Sequence, residues 1–318
     1  MKICLISFDY YGFDNLIIKE LKSKGIQASH IDMNTFNYKY KSFFEKIKNF
    51  FQKNLFNKNI KKIKTENFIL NQLDLLGHQD IILSLRPDRI STKTHFKIKK
   101  NCNRYLCYLY DSSERFSIKK ISKNIFDEIY TFDINDSYKY NFKHLTNYIY
   151  LAKRAQQSED QNQNDLFFVS ALDKRIDTIN QIAKCCSLKN IKSKFIIVGK
   201  KRPKKLHPEI IFKTKKISLT ELTIELESSK VFLDLIQNNQ DGLSFRIFEA
   251  LAFQKKIITT NNAIKKYPFY NSNNILVIEP KEIDIPLDFF NTPYQPIPEE
   301  IYNQFTIETW VSKVFGIN

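Results

Sequence analysis

The feature that most constrains this chain is an alternation maintained from end to end. Short apolar runs recur at Ile3–Phe8, Ile26–Ile31, Ile81–Leu85, Tyr105–Tyr110, Glu128–Phe132 and Tyr148–Leu151, with helical patterns between most of them. The first such pattern, Asp14–Lys24, puts Leu16, Ile17, Ile18 and Leu21 at helical spacing, and Gly25 falls where a helix C-terminal glycine belongs. Strand–helix alternation of this kind predicts parallel sheets with helices on both faces.

The pattern breaks once. Residues 153–164, KRAQQSEDQNQN, contain a single apolar residue and read as a linker or long surface loop. Beyond it the alternation restarts, with runs at Leu166–Val169, Phe195–Val198, Ile210–Phe212, Val231–Leu235, Ile257–Thr260 and Ile275–Ile278 and helices expected at about 174–188, 218–229 and 243–253. A proline-rich stretch at 286–298 reads as an extended strap. It leads to an amphipathic tail whose Ile307, Trp310, Val311, Val314 and Phe315 share a helical face. The expected fold is α/β: two Rossmann-like domains facing a cleft, the first over 1–152 and the second over 165–298. A C-terminal helix at about 299–318 is expected to pack back on the first domain. The six glycines all fall at expected junctions between elements.

Composition narrows the function classes. No run approaches the ~18–20 apolar residues needed to span a bilayer, and the N-terminal MKICLISFDYYG reads as a buried strand rather than a signal peptide. Five cysteines without zinc spacing suit a reducing cytoplasm. Five scattered histidines show no metal-ligand pattern, so no metal or other cofactor is expected. The net charge of +16 points to anionic partners, but the abundance of Lys, Asn, Ile and Phe is also what an AT-rich genome yields. Nucleic acid is not expected as a partner, because no recognition motif is present and the aromatics follow core-like periodicity. Residues 39–64, KYKSFFEKIKNFFQKNLFNKNIKKIK, interleave lysines with Phe43, Phe44, Ile47, Phe50, Phe51 and Phe56 on one broad helical face. Packing on its own domain is the plainer account of that face, and contact with an anionic membrane surface is the alternative.

Ligands of open parallel sheets bind at the carboxyl ends of strands, so the residues there matter most. In the second half, Asp241 precedes Gly242, which opens a helix expected to carry Ser244, Arg246 and Glu249, the last two at i,i+3. A helix start suits a phosphate, glycine lets backbone approach it, and arginine pairs it bidentately. A carboxylate in that setting suits ribose hydroxyls; an N-capped helix with an internal ion pair accounts for the same residues. Asp173, Lys174 and Arg175 follow one strand, and Lys200, Lys201 and Arg202 another. In the first half, Asp9 and Asp14 follow the first strand, Arg86 and Asp88 follow the third, and Asp111 ends the fourth. Each aspartate is also a plausible cap or turn residue.

Together these residues resemble GT-B-type glycosyltransferases of bacterial capsule, exopolysaccharide and lipopolysaccharide biosynthesis. The resemblance covers most of the chain in layout. It is sharpest in VFLDLIQNNQDGLSFRIFEALAFQKKIITTN, residues 231–261, which looks like that group's donor-site block. LRPD and LYDSS look like first-domain segments of the same group. The resemblance implies that Gly242 and Ser244 meet a pyrophosphate, Arg246 the phosphates and Glu249 the ribose of a nucleotide-sugar; Arg175 and Lys200, as cations after neighbouring strands, are expected to contribute to the same donor site. Asp241 stands eight residues before Glu249, similar to the two-acid spacing of many retaining members, with Asp in place of Glu. Asp111 and Asp9 are the leading candidates for a catalytic carboxylate, and Arg86 and Asp88 are expected on the acceptor side. The implied acceptor is a glycan, free or lipid-linked, met in the cytoplasm or on the inner face of the cell membrane. The alternative is a non-catalytic nucleotide- or glycan-binding protein of the same fold. The loop DYYGFD carries one glycine and no histidine sits where a base is obvious, which leaves the sugar, the base and retention or inversion open.

Overall fold

The computed structural model describes residues 1–317 except 10, 57–58, 117, 119–120, 122–123, 156–162 and 238–239, and excludes the side chain of Phe56. Most of the expected linker 153–164 therefore lies outside the described residues. The chain divides into two compact units, one formed by Met1–Leu145 with Val311–Asn318, the other by Thr146–Trp310.

The first unit holds a six-stranded sheet of β1 (Lys2–Ser7), β2 (Gln27–Asp32), β3 (Gln79–Ser84), β4 (Cys102–Leu109), β5 (Glu128–Thr131) and β6 (Lys143–His144). The order is β2-β1-β3-β4-β5-β6, and every pairing is parallel. Its helices are α1 (Phe13–Ser23), α2 (Phe43–Phe56), α3 (Ile60–Leu76), α4 (Thr92–Lys99) and α5 (Ile134–Tyr140). Parallel strands covered on both faces become continuous apolar runs. In β1 every residue after Lys2 is buried, so the run Ile3–Ile6 is contiguous instead of alternating. Helix α1 buries Ile17, Ile18 and Leu21 against the sheet, and Gly12 at its N-cap takes φ 87°, a left-handed conformation that favours glycine.

The second unit repeats the plan with β7 (Asn164–Ala171), β8 (Ser193–Val198), β9 (Ile210–Lys213), β10 (Ser229–Asp234), β11 (Lys256–Thr259) and β12 (Ile275–Val277). Their order is β12-β11-β10-β7-β8-β9, again all parallel. Helices α6 (Ile176–Leu188), α7 (Leu219–Glu227) and α8 (Phe245–Phe253) are followed by α9 (Asp288–Asn291), α10 (Glu299–Asn303) and α11 (Ile307–Phe315), of which the residues from Val311 onward belong to the first unit. Phe168, Phe195, Leu233 and Ile258 from four strands pack with Ile179 and Ile182 of α6 in one core. Fully burying each such side chain contributes about 1.5–3 kcal/mol.

The order of strands reverses at one point in each sheet. In the first unit the chain moves outward in opposite directions from β1 and β3, and in the second from β7 and β10. At such switch points the loops after neighbouring strands diverge and leave a crevice at the carboxyl ends.

Four sequence expectations need correction. Tyr148–Leu151 is not a strand; Lys143–His144 supplies the sixth strand, and Ile149 makes only an isolated bridge to Thr306. That run is apolar because Tyr148 packs on Phe245 and Trp310, with ring centroids 5.3 and 5.0 Å away. The basic segment 39–64 is two helices, the second capped by Asn59, whose Oδ1 accepts the Lys61 N–H at 3.0 Å. Its aromatic face does not pack inward, since Phe43, Phe44, Phe50 and Phe51 are all exposed. The proline-rich strap is interrupted by α9, which buries Phe289 and Phe290.

Candidate functional site

In the second unit the site residues gather at the β7/β10 switch point. Arg175 sits at the N-cap of α6, just beyond β7. Its Nε donates to both carboxylate oxygens of Asp173, at 2.9 and 3.1 Å, which fixes the guanidinium plane. Its Nη1 donates to the carbonyl of Leu235, the residue after β10, and so spans the switch point. Lys200 is exposed after β8 and joins none of these groups.

Helix α8 begins at Phe245 and is capped by Ser244, so Gly242 lies in the loop before the cap rather than at the helix start. Ser244 Oγ accepts the Arg246 N–H at 3.2 Å and donates to Asp234 Oδ1 at 2.7 Å. The other oxygen of Asp234 accepts the Thr259 hydroxyl at 2.8 Å, which ties the ends of β10 and β11 to the start of α8. Asn261 holds the loop from below, its Nδ2 donating to the carbonyls of Asp241 and Gly242 at 3.2 and 3.3 Å. A nine-residue helix pointing its N-terminus at this edge carries the positive end of its dipole there.

Arg246 and Glu249 face inward. Arg246 Nη1 lies 2.6 Å from Glu249 Oε2, with side-chain exposures of 12 and 2%. Glu249 Oε1 accepts the Tyr150 hydroxyl. Burial raises the Glu249 pKa, against the pull of Arg246 and Tyr150. Both oxygens of Glu249 are thus engaged inside the unit, so a ribose contact by this carboxylate requires one of those partners to yield.

The first unit gathers polar groups at its own switch point, β1/β3, and at the adjoining end of β4. Asp9 uses both oxygens on backbone, accepting the N–H groups of Gly12 at 2.6 Å and Asn15 at 3.1 Å. This anchors the loop into α1. Asp14, in the first turn of α1, is buried and hydrogen-bonds Ser7 at the end of β1. Burial first, and then the charge of Asp9, push its pKa up to about 7. Arg86 Nε and Nη2 donate to the two oxygens of Asp88 at 2.8 and 2.7 Å, and its guanidinium lies 4.0 Å from the Phe116 ring centroid. Tyr110, after β4, hydrogen-bonds Arg86.

Asp111 differs from these. Its Oδ2 pairs with Arg115 Nη1 at 2.9 Å, while Oδ1 is buried and without a hydrogen-bond partner. Burial raises its pKa to about 6, with Arg115 opposing. It lines a small recess with Arg86, Asp88, Tyr110 and Phe116. A carboxylate with one unpartnered oxygen in a recess is equipped to accept a proton or a hydroxyl.

The structure therefore brings Arg175, Asp241, Gly242 and Ser244 to one strand edge, and Asp9, Arg86, Asp88 and Asp111 to another. Sequence reasoning did not select Asp234, Tyr150 or Asn261, and passed over Asp14 in favour of Asp9. Asp234 carried a usable signal, being a carboxylate within the apolar run Val231–Leu235, one residue before its end. Among the described residues, no group of three or more His, Cys, Asp and Glu side chains is arranged to hold a metal ion.

No family model matches the chain, and no curated protein matches it by sequence. Solved structures do match along its length. A UDP-forming trehalose-phosphate synthase from Burkholderia xenovorans has a TM-score of 0.60 at 10% identity, over 99% of this chain and 98% of that one. The trehalose-6-phosphate protein from E. coli bound with UDP-2-fluoro glucose has a TM-score of 0.57 at 11% identity, over 99 and 98%. HepE from Anabaena in complex with UDP-glucose has a TM-score of 0.54 at 13% identity, over 99 and 95%. At these identities the likeness establishes the fold: the two-unit, parallel-sheet α/β architecture of the GT-B glycosyltransferases.

Proposed function

We propose that this protein is a glycosyltransferase that moves a sugar from a nucleotide-sugar donor to a surface-glycan acceptor, free or lipid-linked. The observation that carries the reading is the β7/β10 switch point. There Arg175 reaches the Leu235 carbonyl beside the capped N-terminus of α8. It occurs in a chain whose fold matches, over nearly full length, structures holding UDP-sugars. In this reading the helix start, Gly242, Ser244 and Arg175 hold the diphosphate and stabilise the charge that develops as the sugar leaves. Arg246 and Glu249 stand behind them as a preformed pair. No metal ion or further cofactor is required, because cationic side chains and the helix dipole supply the positive charge.

In the first unit Asp111 is the proposed base: its carboxylate takes the proton of the acceptor hydroxyl as that oxygen bonds to the anomeric carbon and the bond from that carbon to the diphosphate oxygen breaks. Asp14 is a second candidate for this step, and Asp9 shapes the loop that holds it. Location in the cytoplasm or on the inner face of the membrane, with contact through segment 39–64, belongs to the same reading. Among the described residues no helix is long and apolar enough to cross a membrane.

Calorimetry with a panel of nucleoside diphosphates, on the wild type and on Arg175→Ala, tests the proposal. Binding of at least one diphosphate that weakens in the variant supports it, and no binding by any of them overturns it. The closed pair of Arg246 and Glu249 favours a second reading, a nucleotide-binding protein without turnover. Binding with neither donor hydrolysis nor transfer to any glycan acceptor distinguishes that case.

A further inference from the structure

Helix α2 is turned inside out relative to the other long helices. Its protein-facing side is polar. Asn49 is 7% exposed, its Nδ2 donates to the Tyr40 hydroxyl at 2.8 Å, and its Oδ1 accepts the Ile60 N–H at 2.8 Å. Glu45, one turn earlier on the same side, accepts the Tyr38 hydroxyl and the Lys41 N–H, both at 2.6 Å. At about 100° per residue the apolar side chains fall on the opposite arc. Phe43, Phe44, Phe50, Phe51 and Leu55 are 71, 80, 62, 55 and 70% exposed. The same projection sets Lys46 and Lys53 along one border of that arc and Lys48 along the other. Across residues 39–64 there are nine lysines and one acid.

We infer that α2 is a monotopic anchor that lays this aromatic arc into the interface of an anionic bilayer, with its border lysines reaching the headgroups. Apolar surface of this extent on a helix facing away from its own unit marks an interaction site. Aromatic side chains between lysines match the interfacial region of a membrane, where the rings enter the acyl boundary and the ammonium groups stay at the phosphates. Pairing with a second copy fits less well, because it would set two lysine borders along one seam with no acids to offset them. The inference deepens the membrane contact of the proposed function. Its test uses neither donor nor acceptor, so the two fail separately.

The full-length protein is mixed with vesicles of phosphatidylcholine alone and of equimolar phosphatidylcholine and phosphatidylglycerol, and bound protein is measured by flotation. Partition onto the anionic vesicles is expected. Phe44→Ser with Phe51→Ser should lower it by at least about tenfold, and Lys46→Gln with Lys48→Gln by about fivefold per lysine removed. All four side chains lie on the surface, so these variants should fold and bind nucleoside diphosphates as the wild type does. Equal partition onto both vesicle types, no partition, or partition unchanged in the phenylalanine variant overturns the inference. So does sedimentation velocity showing a wild-type dimer that the phenylalanine variant abolishes, since the occupant is then a second copy.

Discussion

Glu249 is held from two sides: Arg246 stands 2.6 Å from one oxygen, and the hydroxyl of Tyr150 donates to the other. Removing one member of such a buried pair leaves an uncompensated charge. Arg246→Ala is therefore expected to lower stability by about 3–5 kcal/mol, and Arg246→Met with Glu249→Leu to recover much of that loss. Urea denaturation of the three proteins measures both. A single variant as stable as the wild type would show that the pair does not support the fold, and any loss of nucleotide binding by Arg246→Ala has to be judged against this effect.

Arg175 is the cleaner probe of the donor site, because it is partly exposed and its guanidinium spans β7 and β10. Loss of its charge-assisted contacts is expected to cost about 1.5–3 kcal/mol of nucleoside diphosphate affinity. Arg175→Lys should recover little, since an ammonium cannot bond Asp173 through two nitrogens while also reaching Leu235. Calorimetric affinities equal to the wild type in both variants remove Arg175 from the site.

Asp14 predicts an unusual pH dependence of stability. Its pKa rises on folding from 3.8 to about 7, so between those values the native state holds a proton that the unfolded chain has released. The stability it contributes is complete below about pH 4 and is lost as the pH rises towards about 7. Asp14→Asn cannot lose that proton. The stability of the variant relative to wild type should therefore grow by about 2–3 kcal/mol between about pH 5 and about pH 8. Denaturation midpoints that move in parallel across this range exclude the assignment.

Asp111 predicts a pH dependence of rate. A base with a pKa of about 6 is ionised at neutral pH, so transfer activity should fall as the pH drops through about 6. Asp111→Asn should lower kcat by about 100-fold or more with little change in KM for the donor. Arg115 favours the ionised form, so Arg115→Ala should move the acidic limb of the profile upward. Asp9→Asn acts on the backbone of the first loop and should leave that limb in place. A profile that ignores Arg115→Ala places the proton transfer on another group.

How much of this was legible in the residues follows from which forces are local. Among the described residues, eleven of the twelve strands lie at or within a few residues of apolar runs read from the sequence, because a strand covered on both faces must be apolar along its length. The caps at Ser244 and Asn59 were not read from the sequence, although each bonds N–H groups only two or three residues away. Tyr148–Leu151 misled because an apolar run of four cannot distinguish ladder pairing from aromatic packing.

By itself, then, the sequence determined two α/β halves, their elements and the charged residues at their strand ends. Tertiary structure alone decided which strand ends meet. Arg175 and Leu235 stand 60 residues apart, and Tyr150 and Glu249 99 apart, so neither partnership leaves a periodic trace. It also decided that Asp14 and Glu249 are buried while Lys200 is not, and that the aromatic arc of α2 faces outward. Periodicity establishes that a helix has two faces, and only the groups packed against it determine which face is covered.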